Sequence, residues 1–244
     1  MSAPNNTAKP NDQLFDEYAD KYEATLRASL SPTGETKDYY AEGRVAFLKD
    51  MLVRFGVATP RAIVDFGCGT GSATPVLQEA FAPQKIFGVD VSPKSIETAR
   101  QDHGSATASF ELLDQAHPSD EFDLAYVNGV FHHIPLDQRD QAASWVYRAV
   151  KPGAYFAWWE NNPWNPGTRW LMHRCPFDDD AIPISAPAAK RLLRRAGFEI
   201  VRTDFLFIFP RSLRWMRWTE RPLSRLPLGG QYQVLCRKPT AAAR

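Results

Sequence analysis

The 244-residue chain is short of most features that would place it in a specialised class. It has three cysteines, Cys68, Cys175 and Cys236, too far apart for a closely spaced zinc site and too few for an even-numbered disulfide framework. A reducing compartment is therefore expected. No run approaches the roughly 20 apolar residues that span a bilayer, and residues 1–13 are polar, without the apolar core of a secretory signal. A cytoplasmic location follows as the expectation. Charge excess is missing too: 29 Lys and Arg stand against 28 Asp and Glu, so the overall balance makes no case for a nucleic-acid partner. Internal repeats and low-complexity tracts are absent. What remains, 44% hydrophobic and 23% charged residues, is the composition of an ordinary globular protein and excludes disorder, collagen and coiled coil.

The balanced charge conceals two unlike regions. Residues 1–160 carry 14 basic and 22 acidic side chains, whereas residues 161–244 carry 15 and 6. Residues 1–11 read as a frayed start, and 12–56 as a helical lid: Leu14, Phe15, Tyr18, Tyr22 and Leu26 recur at helical spacing, as do apolar residues over Lys37 to Phe55. From 57 to 244 short apolar runs alternate with helical stretches. The spacing predicts strands at Ala62–Phe66, Lys85–Asp90, Ala106–Leu112, Phe122–Asn128, Ala154–Glu160, Glu199–Phe209 and Gln231–Arg237. Helices are predicted at Ser72–Phe81, Pro93–Asp102, Asp137–Val150 and Ala186–Ala196. Alternation through five strands indicates an α/β fold with a doubly wound, mostly parallel sheet. Two stretches, 161–185 and 210–230, break the rhythm as long irregular inserts, which compact domains seldom carry without a use.

An apolar strand, Ile63 to Phe66, runs into Gly67-Cys68-Gly69-Thr70-Gly71 and then into a helix. Glycines at such a turn let backbone approach a ligand where a Cβ would collide. The dinucleotide fingerprint would need its third glycine at position 72, which is Ser72. Asp65 ahead of the turn, Asp90 closing the second strand, Asp114-Gln115 after the third, the stretch Phe122 to Ile134 and the turn Lys151-Pro152-Gly153 together resemble the class I S-adenosylmethionine (SAM)-dependent methyltransferases. The resemblance implies a seven-stranded Rossmann-like sheet with a reversed last strand, and SAM as the methyl donor. It implies a cofactor site made of Asp65, Gly67, Cys68, Gly69, Asp90, Val91, Asp114, Gln115 and Asn128. Asp90 would hold the ribose hydroxyls, which suits a carboxylate at this place in a doubly wound sheet. Tyr22 of the lid would close over the sulfonium, and Arg44 could grip the methionine carboxylate with its planar fork.

For the transfer itself, positioning supplies much of the catalysis, and a base is needed only if the acceptor must lose a proton. The candidates are His132 and His133 after strand four and Glu160 after strand five; of the two histidines, only one is expected to point toward the site from an extended segment. His173, Arg174 and Cys175 could line the acceptor pocket. Asp178, Asp179 and Asp180 are read as a solvated acidic turn, with no metal expected. Arg214, Arg217, Arg221 and Arg225 recur at helical spacing beside Trp215 and Trp218. They fit a solvated face, a lid over the substrate, or a peripheral contact of 205–230 with an anionic membrane. The acceptor expected is a small or lipid-like, apolar or anionic molecule, with O-methylation ahead of N- or C-methylation. A non-catalytic SAM-fold partner subunit is the alternative of another class. A nucleic-acid methyltransferase is disfavoured, since Asn161-Asn162-Pro163-Trp164 follows strand five rather than four.

Overall fold

A computed structural model describes residues 29–175, 178 and 181–240. The first predicted helix, with Tyr18 and Tyr22, lies outside them. The chain forms a seven-stranded sheet in the order β3-β2-β1-β4-β5-β7-β6. Its strands are β1 (Ala62–Phe66), β2 (Lys85–Asp90), β3 (Ala108–Leu112), β4 (Phe122–Asn128), β5 (Val150–Asn161), β6 (Glu199–Leu206) and β7 (Gln231–Arg237). β1 to β5 pair in parallel, and β7 runs antiparallel between β5 and β6, as expected. The strand order reverses between β1 and β4, and the crevice outside their carboxyl ends is where such sheets take ligands.

Among the described residues the α-helices are α1 (Lys37–Arg54), α2 (Thr74–Phe81), α3 (Pro93–His103), α4 (Arg139–Ala149), α5 (Pro166–Met172), α6 (Ala186–Arg195) and α7 (Glu220–Leu223). α1, α2 and α3 cover one face of the sheet, over Ile63, Leu124, Tyr126 and Trp159. α4 and α6 cover the other, over Val64, Phe131, Phe156, Trp158 and Tyr232. Trp158 and Trp159 enter opposite cores because successive strand residues point to opposite faces. A sheet buried on both sides explains why its strands read as continuous apolar runs.

Element ends depart from the periodicity where backbone geometry intervenes. α2 begins at Thr74, not Ser72, because the glycine turn continues through Gly71 at φ 77°. β3 starts two residues late, at Ala108. β5 starts early, at Val150, and takes up Lys151-Pro152-Gly153 as an irregularity in its pairing with β4. β6 stops at Leu206 rather than Phe209, since Phe207 adopts φ 61°, a conformation a strand cannot continue through.

The inserts are more ordered than their composition suggests. Asn165 caps α5, accepting from the Thr168 amide at 2.9 Å. Asn162 donates to the carbonyls of Pro227 and Gly229, Asn165 to Leu228, and the Thr168 hydroxyl to Gly230. The first insert thus stitches down the turn that leads into β7. In the second, a 3-10 segment (Arg211–Thr219) kinks at Leu213, so the arginines form no single stripe. Arg217 lies over the Tyr39 ring, 4.5 Å from its centroid, and pairs with Glu35 at 2.7 Å; Arg221 pairs with Asp50. All three cysteines are buried.

Phe131 sets the loop after β4 on this frame: it is fully buried, its ring 3.9 Å from Trp158 and 5.9 Å from Phe66 between centroids. Phe131→Ala is expected to cost about 3–5 kcal/mol, read as a lower urea midpoint. A loss below about 1 kcal/mol would show that the loop is held by something else.

Candidate active site

Three left-handed glycines, Gly67, Gly69 and Gly71, make the turn out of β1. The Gly67 and Cys68 amides both donate to the Val89 carbonyl, at 2.8 and 3.0 Å, which pins the turn to the end of β2. A Cβ on Gly67 would meet Val130 Cγ2 at 2.4 Å. Asp90 completes the cradle: its carboxylate accepts from the Gly69 amide at 2.8 Å and the Ser92 amide at 3.0 Å. Ser92, not Asp90, caps α3, accepting from Ser95 N. Asp65 is buried beneath the turn, and its Oδ2 has no hydrogen-bond partner. Burial, and then the charge of Asp90, raise its carboxyl to about 7. An orphaned buried carboxyl oxygen beside a glycine cradle suits a cationic ligand, and SAM brings an ammonium and a sulfonium. Burial also pushes the Cys68 thiol up, so Cys68 serves the turn as a small apolar side chain.

Next to the cradle lies a cavity of about 430 Å³, bordered by Ser72 and Ala73 of the turn, Asn128 and Gly129 after β4, α1, α5 and Phe207 to Pro210. Arg44 is buried in its wall, donating from Nε to the Tyr126 hydroxyl (3.3 Å) and from Nη1 to Gln231 Oε1 (3.0 Å). Both partners are neutral. A buried guanidinium without a carboxylate among the described residues calls for an anionic ligand.

The third component is a polar cluster on the cavity wall. Glu160 accepts from the Phe131 amide at 2.8 Å with one oxygen, while the other lies 2.5 Å from His132 Nδ1. Asp178 approaches His132 Nε2 at 3.4 Å and His133 Nε2 at 3.8 Å. Burial alone would pull the His132 imidazole down, but the Glu160 carboxylate, with Asp178 behind it, holds it up at about 10. Burial first, and then the His132 charge, press His133 down to about 3.

Several expectations are corrected here. The segment after β4 is a turn, not extended: His133 N donates to Val130 O and Ile134 N to Phe131 O. Both rings therefore come to the same place, 4.1 Å apart between centroids. As a base, His132 is blocked, with Nδ1 held by Glu160 and Nε2 facing Asp178, and Glu160 is equally committed. Asp178 is no solvated turn residue but stands against both histidines. His173 and Arg174 are exposed and leave the cavity to Cys175; Arg174 lies over the Trp170 ring instead. Val91, Asp114 and Gln115 sit exposed at the ends of β2 and β3, apart from the cavity, while Asn128 lies on its border. Tyr22 lies outside the described residues. Sequence reasoning missed Tyr126 and Gln231, the partners of Arg44; the signal for Gln231 was a polar residue opening a buried strand right after two glycines.

The comparisons agree with this geometry. Residues 64–156 match a family model described as a methyltransferase domain. A trans-aconitate 2-methyltransferase of Methylobacterium nodulans is 33% identical over 166 residues, 65% of this chain and 61% of that protein. A malonyl-[acyl-carrier protein] O-methyltransferase of Anoxybacillus flavithermus is 29% identical over 111 residues, 45% of this chain and 42% of that protein. The matches cover 33 to 61% of the length of the first four such relatives. A solved SAM-dependent methyltransferase structure from Thermotoga maritima shares the fold, with a TM-score of 0.59 at 19% identity, covering 94% of this chain and 100% of that one. Residues 64–156 thus form a methyltransferase domain, and the seven-stranded order around the glycine turn is the fold of the class I SAM-dependent methyltransferases.

Proposed function

We propose that the protein methylates an oxygen of a small or lipid-like carboxylic acid. The observation that carries this reading is the mutual engagement of His132 and Glu160, which leaves neither as a proton acceptor. An acceptor oxygen that arrives already ionised needs none, and a carboxylate is such an oxygen. The names of two relatives, trans-aconitate 2-methyltransferase and malonyl-[acyl-carrier protein] O-methyltransferase, both carry carboxylic acids. SAM supplies an electrophilic methyl on a good leaving group. The residues that would hold it are the turn Gly67 to Gly71, Asp90 toward the ribose, Asp65 toward the cationic end and Arg44 toward the methionine carboxylate. Tyr39, Tyr40, Phe207 and Phe209 give the neighbouring cavity an aromatic wall, which excludes water from the acceptor and fixes its orientation. A cytoplasmic location fits this role.

A second observation favours presentation of a lipid-like acceptor at an anionic membrane. Trp215 and Trp218 are 70% and 77% exposed and lie beside the exposed Arg211 and Arg214 in a segment that starts at the cavity border. Large exposed aromatics among arginines suit a lipid interface. No helix among the described residues is long and apolar enough to cross a membrane.

Calorimetry should give micromolar SAM binding for the wild type and none for Asp90→Ala; a wild type indifferent to SAM removes the cofactor assignment. Binding at pH 6.5 should release a measurable fraction of a proton, because a carboxyl raised to about 7 is partly protonated there and a docked cation favours its ionised form. Affinity should accordingly rise with pH toward 7, and Asp65→Asn should abolish the release, read in two buffers of different ionisation enthalpy. Incubated with a panel of carboxylic acids, alcohols and amines, the enzyme should yield methyl esters by mass spectrometry; products only from amines or alcohols would overturn the acceptor class. Co-sedimentation with phosphatidylglycerol vesicles should fall severalfold in Trp215→Ala/Trp218→Ala, and a wild type that stays in the supernatant excludes the membrane reading.

A further inference from the structure

The contacts of Asp178 with the two histidines are long for hydrogen bonds, which run from about 2.7 to 3.2 Å between nitrogen and oxygen. His132 Nε2 stands 3.4 Å and His133 Nε2 3.8 Å from the same Asp178 oxygen, and ligand atoms of all three residues fall within 4.8 Å of one another. Two donors on one tetrahedral zinc, with bonds of about 2.0–2.1 Å, stand about 3.3–3.4 Å apart. The His132–Asp178 spacing is that of two donors on one ion, and His133 Nε2, 0.4 Å farther from the same oxygen, needs only a small side-chain shift to join them.

His132 is also oriented as a metal ligand is. Its Nδ1 faces a buried carboxylate, Glu160, itself fixed by the Phe131 amide, and Nε2 is thereby turned toward Asp178. A carboxylate behind the ring of a ligating histidine sets its tautomer and raises its basicity toward the metal. The backbone holds the third donor in register. Ile182 N donates to the His132 carbonyl at 2.8 Å, Ala181 N to the Asp178 carbonyl at 3.1 Å, and Asp178 N to the Cys175 carbonyl at 2.9 Å.

We infer that His132, His133 and Asp178 form a binding site for a divalent ion of borderline softness, Zn²⁺ first among them, in the wall of the acceptor cavity. Two imidazoles and one carboxylate are the donor set of an open zinc site, in which a fourth position stays available to water or substrate. All three residues border the cavity, so that position faces the acceptor, where the ion would hold an acceptor oxygen. The site stands on its own geometry and does not depend on the acceptor being a carboxylic acid.

Tag-free protein, stripped with a chelator and then dialysed, is titrated with Zn²⁺ by calorimetry and with Co²⁺ by visible absorption. One ion per chain and the visible bands of a low-coordinate cobalt site are expected. His133→Ala and Asp178→Asn should each weaken binding at least tenfold, and Glu160→Gln by about 10 to 100-fold with the stoichiometry kept. His117→Ala, which removes an exposed imidazole elsewhere, should leave the affinity unchanged. Circular dichroism melts identify variants that fail to fold; if Glu160→Gln is one, the other two substitutions decide. Absence of saturable binding in folded wild type, or binding indifferent to both His133→Ala and Asp178→Asn, overturns the site. No arm measures methyl transfer, so failure of the acceptor reading is separately visible.

Discussion

The Glu160 carboxylate, buried at the end of β5, reaches across to the loop after β4 and takes both the Phe131 amide and the His132 ring. The direction of His132 Nε2 depends on that one side chain, and the loop is held jointly by it and by the burial of Phe131 against Trp158. Removing one partner of a buried ion pair costs about 3–5 kcal/mol, because it strands the other charge away from water. The pair is therefore better understood as the anchor of the site than as its reagent. Chemistry that relies on placing an ionised acceptor beside a reactive methyl tolerates this, since orientation provides much of the acceleration.

The cofactor side obeys a different constraint. There the backbone forms the surface, and side chains act chiefly by staying small or by fixing amides. Asp90 holds the glycine turn, its carboxylate taking the Gly69 and Ser92 amides. Asp65, with an unpartnered buried oxygen, keeps a carboxyl in a place where water cannot compensate it, a cost that a bound cation offsets. A rigid glycine cradle and a polar anchored wall thus meet at Asn128.

The basic excess of the last third resolves into unlike parts. Arg217 and Arg221 tie the second insert to α1 through Glu35 and Asp50, and Arg202 is fixed on the buried Asp204, which also accepts from Ser224. Arg217 and Arg221 thereby join the segment after β6 to α1 and the residues just before it. The outward-facing remainder, around Trp215 and Trp218, is what is left to meet a surface.

The fold was legible because its signals are local: alternating apolar runs, a glycine turn between strand and helix, and an acid about 25 residues on define a strand–turn–helix–strand unit within one stretch of chain. Asp65, Gly67, Gly69 and Asp90 could be read in this way. Element ends were less legible, since Phe207 and Gly153 adopt backbone angles that composition does not reveal. The sequence by itself determined the sheet and the glycine turn between β1 and α2. Only the tertiary structure decided the roles of His132, His133, Glu160 and Asp178. Their partners stand 28 or more positions apart, and a turn that rotates both imidazoles to one side is set by the packing of Phe131 under Trp158. Side chains brought together by packing rather than by spacing leave no periodic trace along the chain.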